Sequence, residues 1–158
     1  MTVNITPSGT RGIRVPGVFK KLSKIHPLLY KLVGGRGQRN LVLLTTTGAK
    51  SGRERSATVA SFPEDENAWL IVASFGGTAS HPSWYVNLAK NPAHVLLQAG
   101  GQRFRVRPTS LHGEERAAAW KRITAEAPNF ATYQTHTDRE IPVVRLTRDE
   151  GVTASLAD

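Results

Sequence analysis

The chain has 158 residues, no cysteine, and 21 Lys and Arg against 12 Asp and Glu, for a formal net charge of +9. That length suits one domain with a real core, and 39% hydrophobic residues exclude wholesale disorder. The missing thiol excludes disulfide scaffolds, cysteine nucleophiles and zinc sites that need sulfur.

Residues 1–15 are polar and aperiodic and read as a mobile arm. No basic stretch feeds an apolar one there, so no secretory signal is expected. From Pro16 to Val33, Phe19, Leu22, Ile25, Leu28, Leu29 and Leu32 recur at helical spacing, with Lys20, Lys21, Lys24 and Lys31 on the other face. Pro27 should bend this helix, and Gly34 and Gly35 end it. Two readings stay open for 16–33: packing on the domain, or lying on an anionic membrane surface or over a site.

Leu41 to Thr47 reads as a strand, 48–52 as a turn, Ser56 to Phe62 as a second strand and 63–67 as a polar turn. Ala68 to Ser74 follows as a buried third strand, broken by Gly76 and Gly77. Its apolar run ends at Ala73, far short of the roughly 18 residues that a membrane helix needs. Ser80 is expected to cap a helix with Pro82 in its first turn, running through Trp84, Tyr85 and Leu88 to Asn91. Val95 to Gln98 and Gln102 to Arg107 flank Gly100 and Gly101 as a hairpin. Glu114 to Ala127 is the strongest helix, and Ile141 to Thr147 the last strand, before a tail at 151–158. Short turns imply antiparallel pairing, and six strands with few helices imply a small barrel closed by its first and last strands. The domain is expected to span 16–150.

The charge is uneven. Ten basic residues and no acid precede Glu54, while eleven basic and twelve acidic residues lie from Glu54 onward. One region should therefore attract an anion. The string from Gly48 to Arg55 lacks Walker spacing and leads into a strand, which excludes a nucleotide-binding P-loop. Its glycines, Ser51, Lys50, Arg53 and Arg55 could bind an anion or simply keep a hairpin tip soluble. A strand ending at Gly76 before a helix start lets backbone donors reach a ligand. Trp84 and Tyr85 read first as core aromatics, and Asn87 could meet a ligand or cap a loop.

The histidines, at 26, 81, 94, 112 and 136, have no metal-binding spacing. No nucleophile elbow, paired carboxylates or nucleic-acid reading module is present. No metal and no nucleic-acid partner are expected, and enzymatic chemistry would have to come from an organic cofactor.

Thr46 to Arg55, Ser74 to Gly77, Pro82 to Leu88, Asn91-Pro92 and Thr137 to Pro142 together resemble the deazaflavin-dependent nitroreductase family of actinobacteria. The likeness runs from about Pro16 to Leu146. It implies a mainly β fold with flanking helices: a split β-barrel related to FMN-binding and pyridoxamine-phosphate-oxidase-like barrels. It implies an oxidoreductase that uses reduced coenzyme F420 to pass a hydride to a quinone, an activated enone or a nitroaromatic. By the family pattern Ala49, Lys50, Ser51 and Arg55 would hold the phosphate and polyglutamate tail. Ser56, Ala57, Thr58, Val59 and Ala60 would line the cofactor. Val72, Ala73, Ser74, Phe75 and Gly76 would meet the deazaflavin ring, and Ser83, Trp84, Tyr85, Val86 and Asn87 would complete the site. Phe130 and Tyr133 would cover the ring, with Tyr133 or a pocket water as proton donor. Relatives often carry a lysine where this chain has Phe75, and phenols at the positions of Ala60 and Phe130, which argues against prodrug activation.

Two other readings are an FMN-binding split barrel and a non-enzymatic basic module on anionic membrane or nucleic acid. The resemblance favours a cytoplasmic enzyme, with 16–33 as the candidate contact with the inner face of the plasma membrane. Split barrels of this type are often dimers, so an oligomer is one expectation.

Overall fold

The computed structural model describes residues 3–13 and 41–149. The amphipathic segment 16–33 and the tail 151–158 lie outside the described residues. Among the described residues six antiparallel strands are formed: β1 (Leu41–Thr47), β2 (Glu54–Asp65), β3 (Ala68–Val72), β4 (Leu96–Ala99), β5 (Gln102–Ser110) and β6 (Val143–Arg148). Three helices accompany them there: α1 (Ser83–Lys90), α2 (Gly113–Glu126) and α3 (Asn129–His136). A 3₁₀ turn at Phe75–Gly77 follows β3.

The strands close in the order β1-β2-β3-β6-β5-β4. The sequence reading had β1 meet β6; instead β1 pairs with β4, matching Leu44 to Leu97. Strand β6 sits between β3 and β5, matching Val144 to Ile71 and Ser110. The cause lies in α1, which carries the chain back to β1. Asn87 Nδ2 donates to Thr46 Oγ1 (3.1 Å) and Asn91 Nδ2 to the Thr47 carbonyl (3.2 Å). The chain therefore enters β4 beside β1, and the free edges of β3 and β5 are left for β6.

Side-chain alternation divides the interior in two. Val42, Leu44, Val59, Trp69, Ile71, Leu97, Val106, Val144 and Leu146, from all six strands, fill the barrel. Phe62, Leu70, Val72 and Val143 point outward and pack on Ala119 and Ile123 of α2 and Phe130 of α3. This explains why β3 is apolar without alternation: all five of its residues are buried, one face in each layer. Burying one such Leu, Ile or Phe side chain contributes roughly 1.5–3 kcal/mol. Gly100 and Gly101, at φ +58° and +81°, take the left-handed turn that matches hairpin twist between β4 and β5.

Three local expectations change. Helix α1 starts at Ser83 with extended Pro82 before it and no side-chain cap, so Ser80 lies too early to cap it. Segment 129–136 forms α3, which the sequence reading did not assign: Phe130 and Tyr133, three apart, share one face of a short helix after Pro128. Residues 3–13 lie against the barrel. Gly9 N–H donates to Ala79 O (2.8 Å), Ile13 N–H to Gly77 O (3.1 Å), and Val3 is buried in the barrel core.

Candidate functional site

The β1–β2 turn is closed by Gly48 N–H donating to Arg53 O (2.7 Å) and Gly52 N–H to Gly48 O (2.9 Å). Arg53 N–H donates to Ser51 Oγ (3.2 Å). Lys50, Ser51 and Arg55 are exposed, and neither basic side chain forms an ion pair among the described residues. Ala49 N–H donates to Asn87 Oδ1 (2.9 Å), so buried Asn87 ties this turn to α1 as well as to Thr46. Here the expected cap role of Asn87 is fulfilled through protein contacts, using both ends of its amide.

Along β2 the residues separate by face. Ala57 and Val59 join the barrel core and offer a ligand at most main-chain atoms. Ser56, Thr58 and Ala60 face outward. Ser56 Oγ pairs with Thr45 Oγ1 (3.0 Å), while Ala60 packs on the outer cluster. Thr58 Oγ1 is buried with no hydrogen-bond partner among the described residues. A buried hydroxyl without a hydrogen bond carries a desolvation cost of roughly 1–3 kcal/mol, which a ligand group could offset. Coenzyme F420, rich in hydroxyl, phosphate and carboxylate groups, fits this donor set and the basic turn beside it.

After β3 the backbone turns left-handed. Phe75 has φ +43° despite its Cβ, and Gly76 and Gly77 follow at +67° and +85°. A Cβ on Gly77 would meet the Tyr133 carbonyl at 2.4 Å, so glycine permits α3 to approach the turn. Gly77 N–H donates to Ser74 O (2.9 Å) and Thr78 N–H to Phe75 O (3.3 Å). Phe75 is an exposed large hydrophobic residue at 39%. Val72 belongs to the outer cluster and Ala73 to the barrel core, so the turn itself, Ser74 to Gly76, is the part that a ligand can reach.

Helix α1 presents exposed Ser83 and half-buried Trp84 and Val86, while Tyr85 is fully buried in the core. Tyr85 OH donates to Asn4 O (2.9 Å) and accepts from Thr6 N–H (3.3 Å). Phe130 stands edge-on to Phe62 (5.8 Å) and Tyr133 (5.6 Å) in the outer layer. Tyr133 is half-buried there, and its backbone abuts the 74–77 turn.

Sequence reasoning gave no role to Arg139 or His81, which lie behind that turn. Arg139 is buried and donates to the carbonyls of Ala73 (3.0 Å), Ser74 (2.7 Å) and Thr78 (2.7 Å). It also lies 3.2 Å from His81 Nδ1. A guanidinium can only donate, so His81 Nδ1 accepts, and Nε2 carries the proton that it donates to Thr6 O (2.7 Å). Burial and the Arg139 charge hold the His81 pKa below its ordinary value. Arg139 fell inside a matched string, but nothing in its spacing announces a three-carbonyl bracket.

A cavity of about 300 Å³ lies beside the start of β2, lined by Thr45, Thr47, Glu54, His94, Leu96 and Arg105. Among the described residues no His, Asp and Glu group could hold a metal, and no helix is long and apolar enough to cross a membrane.

The same barrel occurs in solved structures. An F420-H2 dependent reductase, FDR-A, is 43% identical, covers 68% of this chain and 94% of its own, and superposes with a TM-score of 0.61. A second solved structure, described only as a domain-swapped dimer, is 36% identical, with coverage of 83% and 99% and a TM-score of 0.62. Fold and likeness define a split β-barrel oxidoreductase. The family model described as F420H(2)-dependent quinone reductase matches residues 29–148. A Mycobacterium tuberculosis F420H(2)-dependent quinone reductase is 37% identical over 137 residues, covering 81% of this chain and 91% of that protein. The chain belongs to the F420H(2)-dependent quinone reductase family, and its hydride donor is reduced coenzyme F420.

Proposed function

We propose that this enzyme holds F420 along the outward face of β2, between the Gly48–Arg53 turn and the Ser74–Gly77 turn, and reduces quinones, with activated enones and nitroaromatics as further acceptors. When bound, reduced F420 supplies a hydride from C5 in a two-electron step, so the protein needs no nucleophile. Lys50, Ser51 and Arg55 would bind the phosphate and glutamate tail, charge-assisted and in water. Ser56, Thr58 and Ala60 would line the cofactor, and the 74–76 backbone would face its ring. Ser83, Trp84 and Val86 would complete the site from α1, while Asn87 keeps that helix and the tail-binding turn in register. Phe130 and Tyr133 would exclude water above the ring, and the Tyr133 hydroxyl or a pocket water would protonate the product.

The observation that carries this reading is the buried Thr58 Oγ1 on the outward face of β2, unpartnered among the described residues. The likeness to a reductase at 43% identity supports the same cofactor. The relative described as a domain-swapped dimer supports an oligomeric assembly, which sedimentation would read directly.

The test is a fluorescence titration of the protein with F420 and with FMN, each at low and high salt. Tight F420 binding that weakens with salt, with little FMN affinity, is the expected result. Equal affinity for both, or binding of neither, refutes the proposed site.

A further inference from the structure

Arg139 is 3% exposed, yet among the described residues none of its hydrogen-bond partners is a carboxylate. The adjacent acids are engaged elsewhere: Asp138 with Thr10 and Arg11, Glu140 with Arg116. A buried cation facing neutral acceptors is costly, and it persists where its fixed fork of donors does what a simpler side chain cannot. Here the fork grips Ala73 and Ser74 on one side of a short segment and Thr78 on the other. Inside that bracket Phe75 takes φ +43°, a conformation disfavoured by its Cβ, and its large apolar ring is 39% exposed. Neither feature would persist in a free loop: the strain would relax, and the ring would turn inward.

We propose that Arg139 is a positioning residue for the reaction, and that what it positions is Phe75. Bridging three carbonyls around the turn, it holds the Phe75 backbone left-handed and the aromatic ring outward, as an apolar wall against the bound ring system and its acceptor. This rests on the reading of residues 74–76 as the ring-binding turn. The chemistry it predicts is selection for flat, uncharged acceptors such as naphthoquinones over anionic ones, because Phe75 contributes surface and no charge. His81 supports the bracket from behind, since its neutral Nδ1 accepts from Arg139 while its Nε2–H ties the assembly to Thr6.

The experiment pairs two substitutions. Arg139→Lys keeps the charge and loses the fork, while Phe75→Gly removes the strain and the ring. On the cofactor-free protein, amide hydrogen exchange at 74–78 should quicken in Arg139→Lys. Loss of a residue that orients a binding group costs about 10- to 100-fold by analogy with metal-site partners, so F420 affinity should fall within that range. Phe75→Gly should lower F420 affinity and raise KM for menadione, because it removes the wall from both. In the Phe75→Gly background, Arg139→Lys should cost far less F420 affinity, because no strained Cβ remains to be held. An equal cost in both backgrounds, or unchanged exchange at 74–78, overturns the proposal.

Should Arg139→Lys fail to fold, Phe75→Gly and Phe75→Ala decide through their melting temperatures. Glycine must then melt above alanine, and equal values overturn the proposal. Failure of the wild-type protein to bind F420 would refute the cofactor site, whereas the exchange and melting comparisons would still judge the bracket.

Discussion

Asn87 commits both ends of its side-chain amide to protein contacts beside the site. Its carbonyl accepts from Ala49 N–H and its amide donates to Thr46 Oγ1, all within a buried seam between α1 and β1. Asn87→Ala removes both bonds at once and leaves the partners without a replacement. We expect a loss of about 1–3 kcal/mol, read as a lower urea midpoint at unchanged slope. Because the Ala49 turn carries Lys50 and Ser51, F420 affinity should fall with it. Tyr133 behaves differently, since its ring is half-buried against Phe130 and adds little that phenylalanine would not. Tyr133→Phe should lower kcat for quinone reduction with little change in F420 affinity, and undiminished kcat would remove it as proton donor.

At the scale of elements, the N-terminal strap is pinned at two titratable points. Asp138 accepts from Thr10 N–H and Arg11 N–H, both at 2.8 Å, and from Thr10 Oγ1, which together lower its pKa from 3.8 to about 2. A carboxylate depressed in the folded state stabilises above its ordinary pKa, and that contribution is lost as pH falls through the folded value. Exchange protection of the Thr10 and Arg11 amides should therefore hold down to about pH 4 and fade toward pH 2. Asp138→Asn should remove the protection at neutral pH. His81 also has a depressed pKa, with burial the main cause and the Arg139 charge lowering it further, while backbone bonds with Thr6 and Pro7 oppose the shift. Its neutral form belongs to the folded state, so stability is complete above its ordinary value of 6.5 and declines as pH falls below that toward the folded pKa. Replacing His81 by glutamine should flatten the melting-temperature profile on the acid side of 6.5.

The whole molecule depends on its last strand. Strand β6 pairs with both β3 and β5, and Val144 and Leu146 face the barrel core. A chain ending at Pro142 would leave two open edges and an uncovered core, and we expect it to lose cooperative unfolding by circular dichroism. A meander closed by β1 and β6 would instead leave a shorter chain with five paired strands and partial cooperativity.

Much of this was legible in the residues. The hairpin at Gly100 and Gly101 and the α2 helix follow from local conformational preference, which neighbours in sequence determine. The strings Thr46 to Arg55, Ser74 to Gly77, Pro82 to Leu88, Asn91-Pro92 and Thr137 to Pro142 carried the family together, since several motifs in order are specific where one alone is not. The outward row of β2 was legible as a strand, but the separation of Ala57 and Val59 from Thr58 and Ala60 waited on which face the outer helices cover. Helix α3 was missed because Phe130 and Tyr133 are its two large apolar marks in a polar stretch, too few for a helical period to be distinct.

By itself the sequence determined six strands and their antiparallel sense, since each depends on residues adjacent along the chain. Only the tertiary structure decided that β4 closes on β1, through Asn87 and Asn91, and that Arg139 brackets the Ala73–Thr78 backbone. Both rest on contacts between segments tens of residues apart, whose partners are selected by packing and by the need to satisfy buried polar groups, and no local pattern records that choice.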